Sequence, residues 1–148
     1  MKRLVTLLVT ALLMTAALCV SASAADYQSA AEDLSAIGMF RGTVSGGFEL
    51  DRAPKRSEAA IMLVRLYGAE EEAAAAYQSG EISHPFKDVG PIASPYVAWL
   101  YTKGITKGAT ATTFNSNAAC TDKNYVVFLL RALGYEDGKD FQYAESLT

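Results

Sequence analysis

Arg56 follows Pro54-Lys55 at what reads as the start of a helix. A cation there opposes the positive end of the helix dipole. A charge held in an unfavourable place is a candidate ligand contact, and a guanidinium can bind a carboxylate bidentately where an ammonium cannot. Trp99 offers an aromatic face of the kind that stacks on a sugar ring, although its place in an apolar helix first suggests core or groove wall. The other reactive groups lack chemical partners. His84, the only histidine, has no serine, cysteine or carboxylate pattern around it. Glu70-Glu71-Glu72 reads as a solvated helix start, and no set of residues has the spacing of zinc or calcium ligands. Carboxylates are plentiful, but no pair stands in a catalytic context. Neither catalysis, a metal nor a cofactor is expected.

The elements that must position these residues come from an internal repeat. At a constant offset of 66 residues, Gly104, Gly108, Phe114, Ala119, Leu129, Arg131 and Gly134 fall on Gly38, Gly42, Phe48, Ala53, Leu63, Arg65 and Gly68 without a gap. A period of this size marks a duplicated supersecondary unit. The unit reads helix, glycine-bounded loop, aromatic anchor, second helix, glycine stop.

Composition sets the surroundings. Lys2 and Arg3, the apolar run Leu4–Val20 and the small-x-small triplet Ala22-Ser23-Ala24 form a secretory leader, with cleavage expected after Ala24. Without Lys2 and Arg3 the 13 basic residues fall to 11 against 16 acidic ones, and the net charge moves from −3 to −5. An acidic chain speaks against nucleic acid or an anionic membrane as partner. Only Cys120 remains after cleavage, so an internal disulfide is excluded and apolar packing must hold the fold.

Helical spacing of Tyr27, Ala30 or Ala31, Leu34 and Ile37, with Asp26 as N-cap and Gly38 as stop, predicts a first helix. Phe48 should plug the core behind it. An inner helix is expected from about Pro54-Lys55 to Gly68, followed by a short surface helix over Glu70–Tyr77. In the second unit Ser94-Pro95 should start a helix with Ser94 as N-cap, ending at Gly104. Phe114 is the second anchor, and Thr121 should cap the inner helix Tyr125–Leu133. Asp140–Ala144 reads as the opening of one more helix. The fold class is therefore all-α: two tandem helix–loop–helix units packed through their inner helices. The expected boundaries are a leader over 1–24, a first repeat with trailing helix over 25–78, a linker over 79–85, a second repeat over 86–135, and the start of a truncated third over 136–148.

Phe86-Lys87-Asp88-Val89, Tyr96-Val97-Ala98-Trp99, Gly104-Ile105-Thr106-Lys107-Gly108, Phe114 and Leu129–Gly134 together resemble S-layer homology repeats, wall-binding modules of bacterial surface proteins. In the first unit Gly38–Gly42, Phe48, Pro54–Glu58 and Leu63–Gly68 carry the same resemblance. It implies secretion to the cell surface and non-covalent attachment to an anionic, often pyruvylated, wall polysaccharide. The ligand set it implies is Arg56 with Lys55, Glu58, Asp88, Trp99 and Lys107. The family's capping threonine, arginine and glutamate are only partly kept. Lys55 replaces the threonine in the first unit, and Asp122 and Asn124 replace the arginine and glutamate in the second. Cys120 stands where the family has a buried isoleucine. Family members usually have three repeats, so another chain with such repeats is a second candidate partner. The rival function is a structural protein–protein module without glycan binding.

Overall fold

A glycine in the left-handed conformation stands two residues after the end of every described helix. The computed structural model describes residues 27–43 and 46–143. Within them lie five helices and no strand: α1 (Tyr27–Ala36), α2 (Arg56–Leu66), α3 (Glu70–Gln78), α4 (Ser94–Thr102) and α5 (Asp122–Ala132). The fold is all-α. None of the described helices is long and apolar enough to cross a membrane. The expected cleavage after Ala24, the N-cap Asp26 and residues 144–148 lie outside the described residues.

The duplication is written in the backbone. Met39 N–H donates to Leu34 C=O at 3.0 Å, and Ile105 N–H to Leu100 C=O at 2.9 Å. Gly68 N–H donates to Arg65 C=O at 2.8 Å, and Gly134 N–H to Arg131 C=O at 3.0 Å. Among the described residues, only Glu49 (φ 49°) and Asn115 (φ 59°) are non-glycines at positive φ, and they are 66 residues apart. Such a conformation is costly for a side chain, so its recurrence at one register reports the same tight loop built twice.

The two loops are closed to different degrees. Phe114 is fully buried, with Phe86 at 5.7 Å and Phe128 at 6.5 Å between ring centroids. A Cβ on Gly108 would lie 2.3 Å from the Phe86 ring, so only glycine lets that ring enter. Phe48 departs from expectation. It is half-buried, stacked on Phe40 at 5.0 Å, and lies outside the main cluster of buried side chains. Met62 stands where Phe128 stands in the second unit, and position 20, opposite Phe86 in the repeat register, is a valine. The α1 stripe is likewise mostly uncovered: Ala31 is buried, whereas Tyr27 and Ile37 are exposed.

The centre of the bundle is α4, which packs on both α2 and α3. Its Val97, Ala98, Trp99 and Leu100 are all buried, so neighbours cover every face of the helix. The expectation of packing through the inner helices therefore gives way to an arrangement around α4. The inner helices α2 and α5 run parallel and are tied near their ends. Cys120 N–H donates to Pro54 C=O at 2.7 Å at one end, and Tyr67 Oη to Ala132 C=O at 2.5 Å at the other. Cys120 is buried, and burial pushes its thiol up, so it behaves as a small inert apolar group.

Local details also depart from expectation. Thr121 caps α5 by accepting Asn124 N–H at 3.3 Å, as expected. Ser94 is instead the first residue of α4, and its hydroxyl donates to Gly90 C=O at 3.0 Å. The start of α3 is solvated at Glu71 and Glu72, as expected, and is also an anchor. Glu70 accepts from Arg41, from Arg65 at 3.3 Å and from Tyr96 Oη at 2.6 Å, while Glu72 accepts from Trp99 Nε1 at 2.9 Å. His84 is stacked 5.5 Å from Phe86 and its Nδ1 accepts the Phe86 N–H at 3.1 Å. Residues 137–143 form no helix. Gly138 at φ 86° turns the chain back, and Tyr143 N–H reaches Asp137 at 3.0 Å.

Burial predicts unequal costs for the two anchors. Phe114→Ala should destabilise by about 3–5 kcal/mol, as truncation of a fully buried aromatic does. Phe48→Ala should cost clearly less, about 1 kcal/mol. Urea denaturation of both variants checks this, and equal losses would mean that both loops are equally closed.

Candidate anion-binding site

The first turn of α2 is held by the second unit. Arg56 N–H donates to Ala118 C=O at 2.9 Å and Ser57 N–H to Ser116 C=O at 3.1 Å, with Ser57 Oγ on the same carbonyl at 3.0 Å. Lys55 pairs with Ala119 in an antiparallel bridge. Helix starts normally recruit a side-chain oxygen for these orphan N–H groups. Here loop carbonyls take that place, which explains why a lysine is tolerated at the cap. Glu58 completes the other half of a capping box: its carboxylate accepts Lys55 N–H at 2.7 Å and also binds Arg52 at 2.7 and 2.8 Å. Burial opposes the charge on Glu58, but the Arg52 hydrogen bonds outweigh it and hold its pKa below the usual value.

The Arg56 side chain enters the space between the units. Its Nε donates to Phe114 C=O at 2.9 Å, and its guanidinium carbon lies 4.9 Å from the Phe114 ring centroid and 5.2 Å from that of Phe128. Stacking and one hydrogen bond fix the plane of the guanidinium. Burial lowers its pKa from the ordinary arginine value, and the group stays charged. Arg41, Arg52, Arg65 and Arg131 each pair with a carboxylate. Among the described arginines Arg56 alone has no such partner, and its terminal nitrogens make no hydrogen bond to described residues.

Asp88 supports this geometry from behind. Its carboxylate accepts Phe114 N–H at 2.7 Å and Ser116 N–H at 3.0 Å. Asp88 thus holds the N–H of the residue whose carbonyl holds Arg56. It positions the loop and forms no direct hydrogen bond to the guanidinium. Desolvation opposes its charge, but the backbone hydrogen bonds outweigh it and keep its pKa below the usual aspartate value.

The remaining expected site residues do not converge on Arg56. Lys55 and Glu58 line a shallow groove of about 300 Å³ with Ser57, Gly90 and Ser116. Lys107 is exposed on the turn before Gly108. Trp99 is 6% exposed and lines a different cleft with Glu72 and Lys103. Its ring rests on Tyr67 at 5.3 Å, with the Lys103 ammonium 5.3 Å from its centroid, so it serves as wall and hydrogen-bond donor. Sequence reasoning missed Phe128, Ser57 and the Ser116–Ala118 carbonyls. Backbone acceptors leave no signal in residue types, though Phe128 at helical spacing within α5 was available as a core residue.

Residues 85–121 match the family model of the S-layer homology domain. Over this stretch the chain is similar to S-layer homology domains. The match runs from Pro85 before the Phe86–Val89 segment, through α4 and the Phe114 loop, to the cap Thr121. No curated protein matches the chain. S-layer homology domains are anchoring modules of bacterial cell surfaces, and the matched segment is of that kind. Arg56 lies outside the matched residues, on the helix that the matched segment holds through its loop.

Asp88 provides a test of that loop. Asp88→Asn leaves an amide N–H facing one of the two backbone donors and should cost about 1–3 kcal/mol. Because the folded-state pKa of Asp88 is depressed, its contribution is full above the ordinary value of 3.8 and disappears as pH falls through the folded value. Urea unfolding between pH 7 and pH 3 should show a loss of stability in the wild type that is smaller in Asp88→Asn. Identical pH profiles would show that Asp88 does not hold the loop.

Proposed function

We propose that the chain is a secreted wall-attachment protein that binds an anionic, carboxylate-bearing wall polysaccharide non-covalently through Arg56. The observation that carries this reading is the guanidinium itself: half-buried, fixed in plane by Phe114 and Phe128, and without a carboxylate partner among the described residues. A cation kept in such surroundings is a preorganised receptor for an external carboxylate, because its side-chain entropy is already spent on the stack. A pyruvate ketal on a sugar is a ligand of this chemistry. Lys55, next to Arg56 in sequence, and Lys107, in the second unit, add exposed positive charge, and Glu58 and Asp88 act by holding the helix start and the loop. The second unit is less equipped, since Asp122 and Asn124 stand at the positions of Arg56 and Glu58. The reading needs neither catalysis nor a cofactor.

One observation favours the rival, a protein–protein assembly module. The first turn of α2 and the Arg56 Nε are both spent on carbonyls of the neighbouring unit, as they would be in a staple between repeats. Pull-down by purified bacterial sacculi separates the two. Under the glycan reading Arg56→Ala should lose about tenfold or more of wall binding, the equivalent of one charge-assisted hydrogen bond. Asp122→Arg should leave binding unchanged or raise it. Circular dichroism and urea unfolding must show that Arg56→Ala is folded, since loss of the charge-assisted Phe114 bond alone should cost about 1.5–3 kcal/mol. Wild type that fails to bind sacculi, or a folded Arg56→Ala that binds equally well, overturns the glycan reading.

A further inference from the structure

In the second unit a short stretch of chain lies along the Phe114 loop and fills it. Lys87 N–H donates to Thr112 C=O at 2.9 Å, the Asp88 carboxylate spans the N–H groups of Phe114 and Ser116, and the Phe86 ring packs on Phe114. The first unit builds the same loop. Thr43 N–H donates to Gly47 C=O at 3.0 Å as Ala109 N–H does to Thr113 C=O at 2.8 Å. Arg52 N–H donates to Glu49 C=O at 3.3 Å as Ala118 N–H does to Asn115 C=O at 3.0 Å. The clamp is therefore formed, but none of the described hydrogen bonds brings a second segment into it. Phe48 N–H and Leu50 N–H, the counterparts of the two donors to Asp88, have no acceptor among the described residues. Positions 20–23, in register with Phe86–Val89, read Val-Ser-Ala-Ser and offer neither ring nor carboxylate.

Beside these donors opens a cleft of about 410 Å³, with Phe40, Phe48, Leu34 and Met62 among its apolar walls. Arg41, Arg52 and Arg65 also line it, each already paired with Glu49, Glu58 or Glu70, so the carboxylate of an occupant is left to the two free N–H groups. The apolar walls suit an incoming ring.

We propose that this loop of the first unit is a docking site for an extended Phe-x-Asp segment of another polypeptide. The segment binds as Phe86-Lys87-Asp88 binds in the second unit. Its carboxylate takes Phe48 N–H and Leu50 N–H, its central N–H donates to Gly46 C=O, and its ring enters the cleft against Phe40 and Phe48. The chain's own Phe86–Asp88 cannot serve, because it is engaged in its own loop. The spacing of ring, one residue, then carboxylate, matched to two N–H groups two residues apart, favours a peptide over a sugar acid. The proposal is independent of Arg56 and of wall binding.

The test is a titration of the ¹⁵N-labelled chain with a synthetic peptide of sequence HPFKDVGP, residues 84–91 of this protein, followed amide by amide. The expected result is saturable binding with the largest downfield shifts at Phe48 and Leu50. Peptides carrying Phe86→Ala or Asp88→Asn should each bind about tenfold or more weakly, since each removes one of the two anchors. Phe48→Ala in the protein should weaken binding similarly, and Arg56→Ala should not. Three results would overturn the proposal: no saturation at millimolar peptide, equal binding of the Asp88→Asn peptide, or shifts centred on Phe114 and Ser116, which would mean exchange with the resident segment.

Discussion

The Phe114 residue is the point on which the rest depends. Asp88 takes its N–H, Arg56 takes its C=O, and its ring is enclosed by Phe86, Phe128 and the Arg56 guanidinium. One residue thus joins an anion from one segment, through its N–H, to a cation from another, through its C=O, with its ring packed against the cation. Backbone groups in a buried turn must be paired, and a charged partner makes the pairing about twice as strong as a neutral one. The same loop then supplies the carbonyls that start α2. Loop, core and inter-unit contact are one construction.

Duplication gave this arrangement twice, and the two copies have diverged. The second is filled by Phe86 and Asp88 from its own unit and by Arg56 from the other. The first retains the backbone, down to the unusual positive φ of Glu49, but has Met62 in place of a ring and Phe40 stacked on its anchor. A loop conformation that is costly for a side chain persists only when surroundings hold it, and here bonds within the loop do so. Part of the apolar surface that the second copy buries is left lining a cleft in the first. A unit open on this side is suited to recognition in a way that the closed one is not.

Electrostatics divides the arginines by role. Glu70, at the positive end of α3, gathers Arg41, Arg65 and Tyr96, and so ties the first loop, α2 and α4 to one carboxylate. Desolvation opposes its charge, but hydrogen bonds from Tyr96 and both arginines outweigh it and lower its pKa. Arg52 is occupied by Glu49 and Glu58. These pairs shape the first unit and leave little charge to offer outward. Arg56 differs because aromatic rings and a carbonyl hold it, and neither neutralises it.

Sequence alone determined the repeat, its helices and most of their ends. Glycines at a constant offset and apolar residues at helical spacing are local signals, and the energies behind them act within a turn or two of chain. Thr121 as cap, Phe114 as core and Arg56 as an unusual helix-start cation were legible for that reason. Tertiary structure decided what those residues meet. Ser94 lost the cap role because Gly90 C=O was within reach of its hydroxyl. Glu70 became an anchor because Arg41 and Tyr96, distant in sequence, converge on it. Phe48 stayed half-buried because its enclosing ring would have to come from outside its own loop, and Trp99 turned inward to Glu72. Hydrogen bonds to backbone carbonyls and packing between remote segments carry no period and no motif, so only the folded chain could assign them.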